Sequence, residues 1–265
     1  MSHGTLDKAV VDSVMAKVKK KYIVMSGKGG VGKSSVAVNL AVGLALQGKK
    51  VGLIDADLHG PSVAKMLGLQ NAMASGTETA IKPIELLDGN LKVISVQFML
   101  EKEDDAVIWR GALKHSIINQ FVGSVVWGDL DYLFIDSPPG TGDEPLSIVQ
   151  TITDLDGAVV VTTPQEVSVF DVKKSISFCK KMNLKVFGIV ENMAGFACPS
   201  CGEITSIFGE GGGESVAENA DAPLLGSIPL DPVMVVSGDS GKAFIQEHKD
   251  SVATVAINEI VKKFL

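Results

Sequence analysis

The hydrophobic positions of the chain follow two patterns, short apolar runs and segments with a helical period. Several runs are apolar at every position, as in a parallel sheet covered by helices on both faces. The first run is followed by a glycine-rich turn, a helical segment and a second run, which predicts a doubly wound α/β fold with a mostly parallel sheet. The predicted strands are Tyr22–Met25, Val51–Ile54, Leu91–Val96, Tyr132–Ile135, Ala158–Val161, Val186–Val190 and Leu224–Ile228.

Two segments near the start have the helical pattern. Thr5–Lys20 has apolar residues at a spacing of four and lysines near its end, which predicts an N-terminal helical extension over residues 1–20. Ser34–Gln47 is apolar almost all round, which predicts a buried helix. We expect residues 21–265 to form one domain, because the polar stretches Asn71–Ala80 and Glu101–Asp105 are loops too short to link two domains.

The composition favours a globular protein with an aliphatic core. Of 265 residues, 46% are hydrophobic and 5% aromatic, and the formal net charge is −7. An acidic chain is a poor match for phosphate-rich nucleic acid, and no stretch of eighteen apolar residues occurs to span a membrane. Three cysteines exclude a disulfide-dense secreted scaffold. We therefore expect a cytoplasmic protein that binds neither nucleic acid nor membrane.

The strongest motif is a phosphate-binding loop directly after the first predicted strand. Gly27-Lys28-Gly29-Gly30-Val31-Gly32-Lys33-Ser34 matches G-x-x-x-x-G-K-[ST] and opens a helix at Ser34-Ser35. Glycines let successive backbone N–H groups surround an anion, and the helix N-terminus adds partial positive charge. Lys33 is then placed for the β- and γ-phosphates and the Ser34 hydroxyl for Mg²⁺. The additional lysine, Lys28, is either a solvated loop residue or reaches the phosphates of a neighbouring subunit.

Carboxylates follow two of the predicted strands. Asp55 and Asp57 end the second strand, and Asp136 ends the strand at Tyr132–Ile135. Because the carboxyl ends of parallel strands border the ligand crevice, Asp136 is predicted to hold the Mg²⁺ water shell. Asp57 is predicted to orient the attacking water and to join that shell. For Asp55 and Asp143, capping of the next helix is the competing interpretation.

Cys198-Pro199-Ser200-Cys201 is the other candidate site. A Cys-x-x-Cys turn presents two thiolates to a zinc ion or an iron–sulfur cluster, or forms a redox disulfide. Both metal centres usually require four ligands, and two pairs across a two-fold axis would supply four sulfurs. Cys179 lies at helical spacing from Val172 and Ile176, which indicates a buried core thiol.

Several motifs together resemble a known family. The loop with its additional lysine resembles the deviant Walker A loop of the class of MinD, ParA and the nitrogenase iron protein. The further motifs look like those of the Mrp/ApbC family of iron–sulfur cluster carriers, from about Tyr22 to Leu265. They are Asp55-Ala-Asp57-x-x-Gly60-Pro61-Ser62, Trp109-Arg110-Gly111, Asp136-Ser-Pro-Pro-Gly-Thr-Gly-Asp143, Cys198-Pro-Ser-Cys201 and Gly226-Ser-Ile-Pro-Leu-Asp231.

This resemblance implies a homodimeric ATPase that uses ATP and Mg²⁺, holds a [4Fe–4S] cluster between its subunits and delivers it to apo iron–sulfur proteins, with cluster scaffold proteins as further partners. Lys28 would act in trans, and Asp57 would be the hydrolytic carboxylate. Cys198 and Cys201 would ligate the cluster. The resemblance also implies that Asn192 reads the adenine and that the backbone near Pro229 lies across the base.

The chain departs from the family pattern at two places, and two other functions compete. Ala112-Leu113 stands where Pro-Met is expected, and Ala243 stands where a proline is expected.

One alternative is a MinD/ParA-like positioning ATPase on membrane or DNA, but the last predicted helix, Ser251–Leu265, has few cations and fits packing on the sheet. The other alternative is an ATPase with a structural zinc at its dimer interface.

Overall fold

The computed structural model describes residues 6–77, 79–99, 111–198, 201 and 203–265. Its strands are β1 Val18–Ser26, β2 Val51–Asp55, β3 Ser75–Thr77, β4 Ala80–Lys82, β5 Ile84–Leu86, β6 Leu91–Ser95, β7 Leu130–Asp136, β8 Gly157–Thr162, β9 Val186–Ala197, β10 Ile204–Thr205 and β11 Leu224–Leu230. Its α-helices are α1 Lys8–Met15, α2 Lys33–Leu46, α3 Val63–Met66, α4 Gly111–Gly123, α5 Asp143–Thr151, α6 Glu166–Lys181, α7 Gly212–Ala220, α8 Pro232–Asp239, α9 Phe244–Glu247 and α10 Val252–Lys262. A 3-10 turn covers Val96–Met99.

One mostly parallel sheet organises the fold. Its order is β10-β9-β8-β1-β7-β2-β6-β5, and β11 also pairs with β9. The β5–β6 and β9–β10 pairs are antiparallel and the others are parallel. β8 is buried at every position, as a strand covered on both faces must be. The doubly wound α/β prediction is confirmed.

The register brings the carboxyl ends of three strands to one edge of the sheet. β1 runs parallel to β7, with Val24 opposite Asp136, and β2 runs parallel to β7, with Asp55 opposite Asp136. β1 then leads directly into the loop before α2. The glycine-rich loop and the two carboxylates are therefore neighbours in space.

The helices close the core around this sheet. The buried helix α2 packs against α9 and α10, and α1 packs against α4. α10 buries Ala253, Ile257 and Ile260, whereas Val252 and Val255 are exposed. The prediction that the last helix packs on the fold is confirmed. Within the part of the chain that the structure describes, no helix is long and apolar enough to cross a membrane.

Two local predictions differ from the structure, and a third concerns residues that the structure does not describe. The helix predicted at Thr5–Lys20 covers only Lys8–Met15, because β1 already begins at Val18 and includes Lys20, the last residue of the predicted extension. The loop predicted at Asn71–Ala80 contains β3 and the first residue of β4, which pair as an antiparallel hairpin. The stretch Glu101–Asp105 lies outside the described residues.

Candidate functional site

The loop between β1 and α2 has a backbone that only glycine accommodates at several positions. Gly30 and Gly32 have φ of +81° and +78°, in the left-handed region that disfavours a side chain. A Cβ on Gly27 would lie 2.4 Å from the backbone of Asp171 and Val172 in α6. Gly32 caps α2 without a side-chain hydrogen bond. The first N–H groups of α2 are therefore left to an anion, as in a phosphate site.

Lys33 and Asp136 form a buried ion pair at the floor of this loop. The Lys33 ammonium donates to Asp136 Oδ1 and to Ser34 Oγ, the latter at 3.3 Å. Burial raises the pKa of the Asp136 carboxyl, and the charge of Lys33 opposes that effect. Asp136 Oδ2 is buried and has no hydrogen-bond partner among the described residues. An unpartnered carboxylate oxygen beside a serine hydroxyl suits the oxygen ligands and water shell of Mg²⁺.

Asp55 and Asp57 have different positions at the end of β2. The fully buried Asp55 carboxylate accepts hydrogen bonds from Ser95 Oγ at 3.2 Å and from the N–H groups of Val63 and Asp57, both at 3.3 Å. Burial, reinforced by the charge of Asp136, raises the pKa of Asp55 to about 8. Its bond to Val63, the first residue of α3, fits the capping interpretation.

Asp57 lies beside the phosphate loop. Its carboxylate accepts hydrogen bonds from the N–H groups of His59 and Gly60 at 3.3 and 3.2 Å, which fixes the turn that follows. Asp57 lines a cavity of about 210 Å³ together with the loop residues from Lys28 to Ser35 and with Pro139. Within this cavity the carboxylate shares one space with the lysines and glycines of the loop.

Lys28 points to a partner within its own chain. Its ammonium donates to Gln165 Oε1 at 3.3 Å, and Gln165 directly precedes α6. The Ser26 hydroxyl donates to the Lys28 carbonyl at 3.0 Å. Lys28 is half-buried and lines the phosphate cavity, so its side chain is held at the mouth of the loop rather than extended into solvent.

A second, apolar cavity of about 360 Å³ adjoins the phosphate loop. Asn192 and Pro229 both line it, and Met193, Met66 and Met234 contribute apolar surface. Asn192 is buried and its amide donates to the Val31 carbonyl at 2.9 Å. The two cavities share four lining residues, Gly32, Ser35, Ser62 and Met66. One ligand can therefore place a flat apolar group in this cavity and its phosphates in the other.

The cysteine pair lies on a hairpin at the edge of the sheet. Cys198 directly follows β9 and its N–H donates to the Glu203 carbonyl at 2.9 Å, after which β10 returns antiparallel to β9. Cys198 is half-buried and Cys201 is exposed. Over the described ranges, no group of three or more His, Cys, Asp or Glu side chains is arranged to hold a metal ion. Two thiols are fewer than the four ligands that a zinc ion or an iron–sulfur cluster usually takes.

Cys179 is separate from this pair. It is fully buried in α6 with its Sγ 3.9 Å from Met25 Sδ, and burial raises its thiol pKa to about 11. The prediction of a core thiol is confirmed. Pro199 and Ser200, between the two other cysteines, lie outside the described residues, as do Trp109 and Arg110.

Sequence reasoning missed two residues that organise the site. Gln165 holds Lys28, and Glu144, in the first turn of α5, accepts from Lys114 Nζ at 2.6 Å. Glu144 also lies 3.4 Å from the His59 ring, in the turn that Asp57 fixes. Glu144 is buried although it is acidic. The one feature of the sequence that could have identified it is its position directly after the Asp136–Asp143 motif.

Comparison with known proteins identifies relatives of this chain. A family model described as ParA, NUBPL iron-transfer P-loop NTPase, matches residues 17–265. An iron-sulfur cluster carrier protein of Saccharolobus solfataricus is 49% identical over 255 residues, which cover 96% of this chain and 86% of that protein. The human cytosolic Fe-S cluster assembly factor NUBP2 is 48% identical over 254 residues, covering 95% of this chain and 94% of that protein.

Solved structures are similar to this chain as well. A nucleotide-binding protein from Archaeoglobus fulgidus, solved in complex with ADP and with cobalt, has a TM-score of 0.78 and 40% identity over 90% of this chain and 93% of that one. The MinD cell division protein of Aquifex aeolicus has a TM-score of 0.67 at 24% identity, covering 92% of this chain and 96% of its own. The second likeness concerns the fold alone.

Proposed function

The chain belongs to the ParA family of NUBPL-type iron-transfer P-loop NTPases, and on that premise we propose that it is an ATP-hydrolysing carrier of [4Fe–4S] clusters. It holds the cluster between two copies of itself and delivers it to apo iron–sulfur proteins, receiving it from scaffold proteins. The observation that carries the proposal is a Cys-x-x-Cys hairpin on the strand that also lines the cavity beside the phosphate loop. Relatives named as cytosolic assembly factors support a cytoplasmic location.

The nucleotide roles follow from the two adjoining cavities. The backbone from Gly27 to Ser35 surrounds the phosphates, and Lys33 exchanges its contact with Asp136 for the β- and γ-phosphate oxygens. Ser34 and Asp136 are the residues that would hold Mg²⁺ and its water shell, with Asp57 nearby. Mg²⁺, when bound, neutralises charge on the phosphates. Asn192 and Pro229 flank the adenine in the apolar cavity.

Hydrolysis is assigned to Asp57 and Lys28. Asp57 orients the attacking water from a position fixed by two backbone N–H groups. Lys28 leaves Gln165 and reaches the phosphates bound to the partner subunit, where its charge stabilises the transition state in the manner of an arginine finger. The cargo step does not require fast turnover, so we expect a slow ATPase.

The geometry of the hairpin supports a shared cluster. Each chain offers Cys198 and Cys201, and a symmetric dimer supplies four thiolates, the number that a [4Fe–4S] cluster needs. Ile204 and Ile207, just beyond the pair, are 71% and 52% exposed. Exposed aliphatic side chains around the thiols suit a contact with a second copy, which would shield the cluster from water.

Anaerobic reconstitution with iron and sulfide tests the proposal. We expect broad visible absorption and about four irons per dimer, lost in Cys198→Ala and in Cys201→Ala. Cys179→Ala is the matched control, because it removes a thiol that lies in the core, and it should retain the iron. A colourless dimer with about one zinc would instead assign the pair a structural role and refute the carrier function.

The ATPase assignment is tested separately by steady-state hydrolysis. Lys28→Ala and Asp57→Ala should abolish turnover while Lys28→Ala retains nucleotide binding. Lys50→Ala, a surface lysine paired with Asn90 at 2.8 Å, is the control. Unchanged turnover in both variants would contradict the roles given to Lys28 and Asp57.

A further inference from the structure

One face of α6 combines exposed aromatic surface with positive charge. The face consists of Phe170, Lys173, Lys174, Ser177, Phe178 and Lys181, and we call it the α6 face. These residues recur every three to four positions, so they form a single stripe along the helix. Thr141 lies opposite the stripe, and the groove between them has a volume of about 560 Å³.

The aromatic part of this face is unusually open. Phe170 is 65% exposed, and Val167, one turn earlier, is also 65% exposed. Phe178 is half-buried, so its ring forms part of the groove wall. In a chain that is only 5% aromatic, an exposed phenylalanine beside a groove marks a surface suited to a partner.

The charge of the face contrasts with that of the whole protein. The formal net charge is −7, yet within the described residues no carboxylate lies within ion-pair distance of Lys173 or Lys181. Lys174 is the exception, because it contacts Asp171 at 3.2 Å and lies 5.4 Å above the Phe170 ring. Uncompensated cations on an acidic protein attract a ligand of the opposite sign.

We propose that the α6 face docks an acidic segment of a partner protein. Carboxylates of that segment pair with Lys173 and Lys181, and one aromatic or aliphatic side chain enters the groove between Phe170 and Phe178. Exposed ion pairs contribute modestly, so the apolar side chain supplies the anchor and the charges supply specificity and a fast association rate.

Two other occupants fit the face less well. A second copy docked by a two-fold axis through the α6 face would bring its lysines against the same lysines, which is repulsive. A nucleic acid would meet the same lysines, but the net charge of −7 repels a polyphosphate as it approaches. An acidic peptide carries fewer charges and supplies the apolar side chain that the groove accepts.

The position of the face connects it with the phosphate loop. Gly27 packs against the α6 backbone at Asp171 and Val172. Thr141 belongs to the segment after Asp136, and Pro139 of the same segment lines the phosphate cavity. A partner on the α6 face thus contacts elements that also border the nucleotide site. The docking proposal itself does not depend on the cysteine pair or on ATP hydrolysis.

Fluorescence anisotropy with the full chain tests the proposal. The probe is a short fluorescein-labelled peptide of Asp and Glu with a central Phe and Leu, compared with a peptide that has Lys in place of the acids. We expect saturable binding of the acidic peptide alone, weakened by salt. Phe170→Ser and the double variant Lys173→Glu/Lys181→Glu should each weaken binding by about tenfold or more.

The matched control is Lys262→Glu/Lys263→Glu, which makes the same change in net charge at the exposed end of α10 and should bind like the unaltered chain. Equal weakening by both double variants would reduce the effect to overall charge and overturn the proposal. Loss of dimer in Phe170→Ser on light scattering, without peptide binding by the unaltered chain, would assign the face to self-association instead. Tighter binding of a labelled single-stranded oligonucleotide, or no binding of the peptide, would equally overturn it.

Discussion

The phosphate loop offers a quantitative test in two glycines that share a backbone conformation but not their surroundings. Gly30 and Gly32 both have left-handed φ, at +81° and +78°. A Cβ on Gly30 would meet no atom within 4 Å, whereas a Cβ on Gly32 would lie 2.2 Å from Asn192 Nδ2. Replacing each by alanine therefore separates the cost of the backbone conformation from the cost of the contact.

The expected losses of stability follow from the surroundings of the two glycines. A left-handed alanine costs about 1–2 kcal/mol in either variant. In Gly32→Ala the buried Asn192 amide must also rotate away, and it loses its hydrogen bond to the Val31 carbonyl. Leaving such a buried group unsatisfied costs about 1–3 kcal/mol. The entropy that alanine removes from the unfolded chain is the same in both variants, so it cancels in the difference.

Urea unfolding of the two variants measures that difference, and each kcal/mol corresponds to about 2–4 °C in thermal midpoint for a domain of this size. We expect Gly32→Ala to be less stable than Gly30→Ala by about 1–3 kcal/mol. In an Asn192→Ala background the excess should vanish, because the contact is gone. Equal destabilisation of the two single variants, or an excess that persists without the Asn192 side chain, would refute the contact as its cause.

Three further predictions concern buried groups. Glu144→Gln should lower stability by about 1–3 kcal/mol in urea unfolding, because Lys114 Nζ, 2.6 Å from Oε1 of Glu144, loses its counter-charge where both side chains are largely buried. Burial and the charge of Asp136 raise the pKa of Asp55 from 3.8 to about 8. Between these values the native state keeps a proton that the unfolded state releases, so stability falls as pH rises, and Asp55→Asn should flatten the profile. Burial raises the pKa of Cys179 to about 11, so iodoacetamide should label Cys201 in the native protein and Cys179 only after unfolding, as read by mass spectrometry.

Each of these has an internal comparison. Glu259→Gln breaks a pair with Lys262 in which both side chains are about 60% exposed, so it should cost under about 0.5 kcal/mol. A loss as small for Glu144→Gln would contradict its burial. The hydrogen bond from Lys19 lowers the pKa of Asp131, so this carboxylate stabilises the native state as pH rises, opposite to Asp55. Asp131→Asn should therefore lose stability above the ordinary carboxyl pKa. Equal alkylation of Cys179 and Cys201 in the native protein would show that α6 opens readily.

The phosphate loop and the strand ends around it could be predicted because their signals are local. The loop motif fixes glycine positions and the start of α2 within a few residues, and Gly32 and Lys33 are found where that spacing requires. Runs that are apolar at every position indicate interior strands covered on both faces, whereas a strand with one exposed face would alternate between apolar and polar residues. Asp136 therefore lies at the end of β7 as expected.

The start of β1 was misjudged because its pattern fits two structures. Lys19 and Lys20 are exposed, but Lys21 is buried, where its ammonium donates to the Val18 carbonyl at 2.8 Å and pairs with Asp154 at 2.9 Å. The exposed Lys19 and Lys20 gave the first strand residues the pattern of the basic end of a helix. The short strands β3, β4, β5 and β10 were missed because they have two or three residues and stabilise only through their partners.

The contacts of the site were beyond sequence reasoning because they join distant segments. Gln165 and Lys28 are 137 positions apart, and Glu144 and Lys114 are 30 apart. Neither pair belongs to a periodic pattern or a motif in the sequence. The two members of each pair meet only because the sheet order brings α6 to β1 and α5 to α4. Local patterns thus predict which residues carry the chemistry, whereas topology decides which residues position them.

That topology also places the proposed adenine cavity and the cysteine pair along one segment of the chain. Asn192 lies in β9 and Cys198 directly follows that strand, six residues later, or about 20 Å if fully extended. Glu191, just before them, is anchored by hydrogen bonds from Gly213 N at 2.7 Å and Ser227 Oγ at 2.9 Å. Beyond this anchor, the left-handed residues Met193 and Gly195 bend the strand. Asn192, which lines the proposed adenine cavity, therefore belongs to the same backbone segment that runs from the Glu191 anchor to Cys198, so the proposed base and cluster sites share one element.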